Sequence, residues 1–406
     1  MPFTKLGLHP DLLHAVRSMG FTAPTPIQER AIPSALEGRD VLGCAQTGSG
    51  KTAAFALPIL QRLLSRPGRG TRALVIVPTR ELAAQVETTF RDCGRFTPHK
   101  AAVIIGGVGY HGQRQALAQG APILVATPGR LLDHMREGAI KLGGIEQLVL
   151  DEADRMLDMG FMPAIREILG KLSRERQTML FSATLGPEIE RVASFTLRNP
   201  VRIEISRPST VAEGISQVVY PVDPRQKPDL LVAILEASQI RSGVIFCRTK
   251  HGADRLARRL KERGFSIGVL HANRTQGQRT STMEDFRRGR VQILVATDIA
   301  ARGIDVREVS HVVNYDLPRH PEDYVHRVGR TARAYGAGDA ISLMAPDEQP
   351  FLSAIERFVG TTFPRAMLPN FNYTVPPLLT PPKPKTFQDL RWGRHRRSTR
   401  RFRRLS

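Results

Sequence analysis

Cysteine is scarce in this chain: three in 406 residues, Cys44, Cys93 and Cys247, far apart and with no CxxC pair. That excludes a disulfide framework and a cysteine-based zinc site, and it fits a reducing compartment. Long apolar runs are lacking too. No stretch of 18 or more apolar residues occurs, and the first twenty residues are patterned as an amphipathic segment rather than a signal peptide. The expectation is a soluble, cytoplasmic protein with no membrane partner. Acidic residues are in deficit, 38 Asp and Glu against 59 Lys and Arg, which leaves a net charge of +21 on an ordinary globular background of 41% hydrophobic residues. The natural partner of such a surface is a polyanion.

What is present is a repeating unit. Short apolar runs at Asp40–Leu42, Ala73–Val77, Ile123–Val125, Gln147–Leu150 and Thr178–Phe181 each end in a polar or glycine-bearing turn and alternate with helical stretches. Around Val201–Glu213 the chain becomes polar and irregular, and the pattern restarts at Val244–Cys247, Ile267–Leu270, Gln292–Ala296 and His311–Tyr315. At roughly 100–200 residues per domain, this length holds two such units. The expected fold is α/β: two tandem parallel-sheet domains at residues 1–205 and 215–365, joined by a linker at 206–214. Beyond it the periodicity stops. Residues 366–406 hold ten Lys and Arg against one acid, Asp389, with six prolines between Pro369 and Pro384 and eight arginines in the last sixteen residues. A disordered tail, Pro-rich and then Arg-rich, is expected there.

In parallel sheets ligands bind beyond the carboxyl ends of strands, and the turns there carry chemistry. Ala45-Gln46-Thr47-Gly48-Ser49-Gly50-Lys51-Thr52 follows a strand and opens a helix. Glycine lets backbone N–H groups cradle phosphates at a helix N-terminus, Lys51 reaches the β and γ oxygens, and the Thr52 hydroxyl suits Mg²⁺. Its first position is alanine rather than the glycine of the strict pattern. About a hundred residues later Asp151-Glu152-Ala153-Asp154 ends another buried run, with Asp151 placed for Mg²⁺ and Glu152 for the attacking water. Upstream, Gln28 closes a turn-rich stretch from Gly20; its amide complements the N6/N7 edge of adenine and mismatches guanine, so ATP is expected over GTP.

With AQTGSGKT (45–52), PTREL (78–82), TPGR (127–130), DEAD (151–154), SAT (182–184), ATDIAARGID (296–305) and HRVGRTAR (326–333) in order, roughly residues 1–365 resemble a DEAD-box ATP-dependent RNA helicase. The resemblance implies two RecA-like domains that close on ATP and Mg²⁺ with RNA across both. It implies that Phe3, Phe21 and Gln28 meet the adenine, that Asp305 meets the ribose, and that Arg330 and Arg333 are arginine fingers beside the catalytic Lys51 and Glu152. Asp154, Ser182, Thr184 and His326 would couple the domains. The RNA backbone would be gripped by Pro78, Thr79, Arg80, Gly106, Gly107, Thr127, Pro128, Gly129 and Arg130 in the first domain and by Arg248, Thr249, Gln276, Arg279 and Thr297 in the second. Hydroxyls, glycine N–H groups and arginines suit phosphate contacts that read no sequence. Ala332 departs from the family glycine, which bears on the path between the two fingers.

The short N-terminus and the basic arm look most like the bacterial RhlE-type subgroup. The expected partner is RNA read with little sequence preference, with ribosomal precursors or RNA-decay complexes as its setting and a monomer as the state. Three rival readings stay open at this point: a DNA translocase of the same two-domain superfamily, a non-catalytic RNA clamp, and a basic ribosome-associated structural protein.

Overall fold

The computed structural model describes residues 2–45, 48–205, 215–238, 240, 242–298, 309–331 and 338–374. Gln46, Thr47, the linker at 206–214, Asp305, Ala332, Arg333 and the arm from 375 onward lie outside the described residues.

The first domain is built on seven strands, β1 (Val41–Cys44), β2 (Ala73–Ile76), β3 (Ala101–Ile104), β4 (Ile123–Ala126), β5 (Gln147–Leu150), β6 (Gln177–Ser182) and β7 (Val201–Glu204), in the order β3-β4-β2-β5-β6-β1-β7. All of the pairings are parallel. Every residue of β1, β2, β4, β5 and β6 is buried, which requires helices on both faces of the sheet. Nine helices provide that cover among the described residues: α1 (Pro10–Ser18), α2 (Pro26–Leu36), α3 (Lys51–Ser65), α4 (Arg80–Cys93), α5 (Tyr110–Ala118), α6 (Pro128–Arg136), α7 (Ala153–Asp158), α8 (Met162–Leu169) and α9 (Pro187–Thr196).

Successive strand residues point to opposite faces, so two cores form. Phe55, Phe90 and Phe181 anchor one, with Phe55 ring centroids 6.2 and 5.6 Å from the other two. Leu42, Leu74, Leu124 and Leu180 line the other. Each such side chain, fully buried, contributes about 1.5–3 kcal/mol.

The sequence placed the first strand at 40–42 and read 201–213 as irregular. The strand instead runs on through Gly43 and Cys44, and Val201–Glu204 is β7, paired with β1. Glycine belongs in the strand at 43 because a Cβ there would meet the Phe181 ring at 2.6 Å.

The second domain repeats the plan with β8 (Ile215–Pro221), β9 (Gly243–Cys247), β10 (Ile267–Leu270), β11 (Ile293–Thr297), β12 (His311–Asn314) and β13 (Gly338–Met344), in the order β10-β11-β9-β12-β13-β8. Its described helices are α10 (Lys227–Ala237), α11 (Lys250–Glu262), α12 (Gln276–Arg287), α13 (Pro321–Val328) and α14 (Gln349–Val359). A buried ionic knot fastens the carboxyl ends of its strands. Glu348, 1% exposed, accepts from Lys227 Nζ at 2.6 Å and from Arg248 Nη2 at 2.5 Å, and also from the Leu317 and Ala345 N–H groups. Every oxygen of this carboxylate is thereby matched, which is what burial of a charge demands.

Residues 366–374, expected to open the tail, lie on the second domain. Ala366 N–H donates to the Val219 carbonyl and Val219 N–H to that of Pro364, so this stretch covers the outer edge of β8. Leu368, Phe371 and Tyr373 pack onto the domain core, and Thr374 is tied to Gln226 by bonds of 2.9 and 2.8 Å. An exposed strand edge invites foreign pairing, and this strap occupies it.

Candidate functional site

The loop between β1 and α3 sits beyond the carboxyl end of β1, where Ala45 N–H donates to the Ser182 carbonyl of the neighbouring strand end at 3.1 Å. Gly48 (φ 82°) and Gly50 (φ 91°) take left-handed backbone that a side chain would strain. At Gly50 a Cβ would also collide with the amide of Gln28. That amide is 3% exposed and already engaged: Oε1 accepts from Thr25 N–H at 3.0 Å, and Nε2 donates to the Gly50 carbonyl at 3.0 Å. Gln28 is therefore wired to the glycine loop, with one N–H and one lone pair left for an adenine edge. Phe3 is buried in the core, whereas Phe21 is 37% exposed; their rings stack with centroids 6.4 Å apart. Phe21 is the one that offers a face to a base. Lys51, the first residue of α3, is 6% exposed, and its Nζ donates to the Ala45 carbonyl at 2.5 Å, back across the loop it follows; Ser49 and Thr52 flank it at the helix start.

Asp151 and Glu152 follow β5, on the far side of β6 from β1. Asp151 is 2% exposed; burial, with the Glu152 charge beside it, pushes its carboxyl up to about 7, while Lys51 pulls the other way. The ammonium of the loop and the carboxylates of the strand end thus share one buried charge cluster. Glu152 caps α7 in the left-handed region (φ 54°, ψ 50°), a costly conformation for a residue with a Cβ. Arg155 Nη1 donates to Glu152 Oε2 at 2.8 Å, and both side chains are buried. Asp154 turns toward β6. Its Oδ2 accepts from Ala183 N–H at 3.0 Å and from Thr184 Oγ1 at 3.4 Å, and Thr184 N–H donates to the fully buried Ser182 hydroxyl. The expected Asp154–Ser182–Thr184 linkage exists within the first domain. His326 lies in the last turn of α13, and Arg330 two residues beyond that helix.

A second face runs over the ends of β2, β3 and β4. Pro78 is buried; Thr79 caps α4, accepting from Leu82 N–H at 3.2 Å. Arg80 lies against Gly106 and Gly107; at φ 74° Gly107 takes left-handed backbone that a side chain would strain, and the Arg80 guanidinium occupies the space a Cβ would enter. Thr127 caps α6, Pro128 follows it, Gly129 is exposed, and Arg130 reaches back to donate to the Val108 carbonyl at 3.0 Å. Partial burial and the nearby Arg279 charge hold Arg80 below the ordinary guanidinium value. In the second domain Arg248 and Thr249 follow β9, with Thr249 capping α11 and Thr297 ending β11. One Arg248 nitrogen is taken by the Glu348 knot.

Gln276 and Arg279 on α12 face the first domain. Arg80 Nη1 donates to Gln276 Oε1 at 3.2 Å, and Arg279 Nη2 lies 2.8 Å from Glu81 Oε1. The two domains therefore meet through side chains assigned from the sequence to RNA contact, together with Glu81, which lies inside the 78–82 segment expected at the RNA. Arg155, Glu348 and Tyr110 were missed. Arg155 directly follows DEAD, and Tyr110 is an aromatic three residues past a glycine pair; those were the only signals available.

Known proteins match this arrangement. The family profile described as DEAD/DEAH box helicase covers residues 25–192, and the helicase conserved C-terminal domain covers 226–335. The chain is 44% identical over 356 residues to the DEAD-box ATP-dependent RNA helicase CshA of Streptococcus pneumoniae, spanning 88% of this chain and 68% of that one. It is 42% identical over 368 residues to the ATP-dependent RNA helicase DeaD of Mycobacterium tuberculosis, covering 90% and 65%. The structure of S. cerevisiae Dbp5 bound to RNA and ADP BeF3 superposes with a TM-score of 0.80 at 34% identity, over 90% of this chain and 95% of that one.

Proposed function

The chain belongs to the DEAD-box family of ATP-dependent RNA helicases, and from that premise we propose how its residues divide the work. The reaction is hydrolysis of ATP to ADP and phosphate, stimulated by RNA and spent on opening short duplexes or remodelling RNA–protein complexes.

Phe21, over the buried Phe3, takes the adenine face, and Gln28 reads its edge while reporting to the loop through Gly50. Asp305 holds the ribose. The backbone N–H groups of Ala45 to Thr52 cradle the phosphates, and Lys51 leaves the Ala45 carbonyl for the β and γ oxygens. Buried Asp151 and the Thr52 hydroxyl form a hard-oxygen donor set that suits Mg²⁺, and a dication there would relieve the strain of ionising a carboxyl pushed up to about 7. Mg²⁺ supplies neutralisation of phosphate charge. Glu152, fixed by its left-handed backbone and by Arg155, orients the attacking water and receives its proton. Arg330 and Arg333 arrive from the second domain to stabilise the charge spread over the phosphoryl oxygens. Asp154, through Ser182 and Thr184, carries the state of the site toward His326. Hydrolysis depends on RNA because the fingers are in place only when both domains hold one strand.

On the RNA side the backbone lies over Pro78 to Arg80, Gly106–Gly107 and Thr127 to Arg130, then Arg248–Thr249 and Thr297. Gln276 and Arg279 work as much through Arg80 and Glu81 as through RNA. The domains run from 1 to 205 and from 215 to 374, taking the strap into the second. Ribosomal precursors or RNA-decay complexes are the proposed targets and a monomer the proposed state. An RhlE-type placement rests on the short N-terminus and the basic arm, whereas the relatives above are CshA and DeaD proteins.

The observation that carries the reading is the joint burial of Lys51, Asp151 and Glu152 at strand ends flanking β6. The test is ATP turnover with RNA, with single-stranded DNA and with neither. RNA should stimulate at least tenfold and DNA far less. Glu152→Gln should bind ATP and RNA yet hold them without turnover, and Lys51→Ala should lose ATP affinity. Equal rates with and without RNA would overturn the coupling.

A further inference from the structure

Tyr110 opens α5 just beyond the glycine pair. Its ring is 36% exposed. Its surroundings are specific. The Arg130 guanidinium lies over the ring, 3.9 Å from its centroid, with Arg114 at 5.7 Å. The hydroxyl donates to Asp133 Oδ2 at 3.2 Å, and the ring packs on His134 with centroids 5.2 Å apart. Arg130, Asp133 and His134 stand at i, i+3 and i+4 of α6, on one helical face. One side chain from α5 is therefore held at its face, its edge and its tip by three from α6.

The effect falls on Arg130. Its Nη1 donates to the Val108 carbonyl at 3.0 Å, in the turn that follows Gly106–Gly107. Between that carbonyl and the Tyr110 ring the guanidinium is held in one plane. An arginine that is free in solution must give up rotamer freedom each time it takes a phosphate, and one already fixed does not. The same contact joins the glycine turn to the start of α6, so two separate backbone-gripping segments are set in one geometry before any strand arrives.

We propose that Tyr110 is a positioning residue for RNA: it pre-orients Arg130 and the Val108 turn so that the first domain's grip on the sugar-phosphate backbone is formed in advance. This rests on the assignment of Gly106–Gly107 and Thr127–Arg130 to RNA given above. Tyr110 contacts RNA through Arg130 rather than by itself.

The test uses the full chain carrying Tyr110→Leu, Tyr110→Phe, Arg130→Ala, or Tyr110→Leu with Arg130→Ala. The readouts are the RNA concentration giving half-maximal ATPase and kcat at saturating RNA, with poly(U) as the probe. Leucine keeps the packing on His134 and removes the cation–π face, so half-saturation should rise about 5- to 10-fold, with kcat within about twofold. Phenylalanine keeps the face and should restore at least half of that loss. The double variant should be no weaker than Arg130→Ala alone, because both changes remove one device. Half-saturation unchanged in Tyr110→Leu while Arg130→Ala weakens binding overturns the proposal, and so does an additive double variant, which would make Tyr110 an RNA contact in its own right. If Arg130→Ala itself leaves RNA binding untouched, it is the underlying RNA assignment that fails.

Discussion

Arg279 Nη2 on α12 stands 2.8 Å from Glu81 Oε1 on α4, an ion pair between the two domains, with side chains only 14% and 15% exposed. Arg80 and Gln276, the neighbours of that pair, make a second bond at 3.2 Å, and Gln276 Nε2 approaches Glu81 Oε1 at 3.5 Å. Four side chains thus hold the two domains together across the cleft that the proposed catalytic groups share.

The first prediction concerns that contact. A partly buried pair at this spacing contributes about 1 kcal/mol to docking. Arg279→Glu places two carboxylates together and should lower RNA-stimulated kcat roughly tenfold, with ATP affinity in the absence of RNA unchanged. The charge swap Glu81→Arg with Arg279→Glu should recover most of the rate. A swap no better than the single variant would show that the pair does not carry the coupling.

How much was legible in the sequence follows from where each signal lives. AQTGSGKT and DEAD were readable because glycine, lysine and carboxylate requirements are local to a strand end, and β5 and β10 begin and end where the apolar runs do. Gly43 misled the reading of β1, since a glycine suggests a turn until the Phe181 ring against it is known. The strap escaped notice because Leu368, Phe371 and Tyr373 sit singly among prolines and polar residues with no period to detect. Glu81 and Arg279 are nearly two hundred residues apart, and only docking of two domains brings them together.

Arg333 carries the second prediction. In its proposed role as a finger on the γ-phosphate it would act mainly in the transition state, so Arg333→Ala should lower kcat far more than it weakens ATP binding. Arginine fingers are worth ~10³ to 10⁵ in rate, and the lower end applies here because Arg330 is retained. A raised KM with unchanged kcat would make Arg333 a ground-state binder.

His134 gives a pH prediction with a definite sign. The ring is fully buried and neither nitrogen has a hydrogen-bond partner. Burial holds it below the ordinary value of 6.5; Arg130 and Arg114 add to this, and Glu137 and Asp133 oppose it. Below pH 6.5 the unfolded chain therefore takes up a proton that the folded chain refuses. Stability from this group is full above that pH and is lost as pH falls, at up to about 1.4 kcal/mol per pH unit. His99 and His311, also held low chiefly by burial, add to the slope. Replacing His134 with Leu should flatten the fall of Tm between pH 6.5 and 5 without abolishing it. Superimposable Tm profiles would show that the ring is protonated in the fold.

The last prediction concerns the arm from Arg391 to Ser406, eight arginines with Trp392 and Phe402 among them. Guanidinium groups attract phosphate, and the two aromatic rings offer faces on which unpaired bases stack. The strap bears on where this arm starts, because Thr374 is tied to Gln226, just past the carboxyl end of β8. That is the same end of the sheet at which Arg248 and Thr249, proposed above as RNA contacts, follow β9. The arm should therefore raise the local concentration of RNA at the site without entering the hydrolytic step. Each phosphate neutralised on a single strand steepens the dependence of log affinity on log salt by roughly 0.7. Truncation before Arg391 should weaken RNA binding and flatten that slope by several units, while kcat at saturating RNA stays nearly the same. If the truncated chain kept both the affinity and the salt slope of the full chain, the arm would be a solubilising tail; if it lost kcat at saturating RNA, the arm would belong to the catalytic cycle instead.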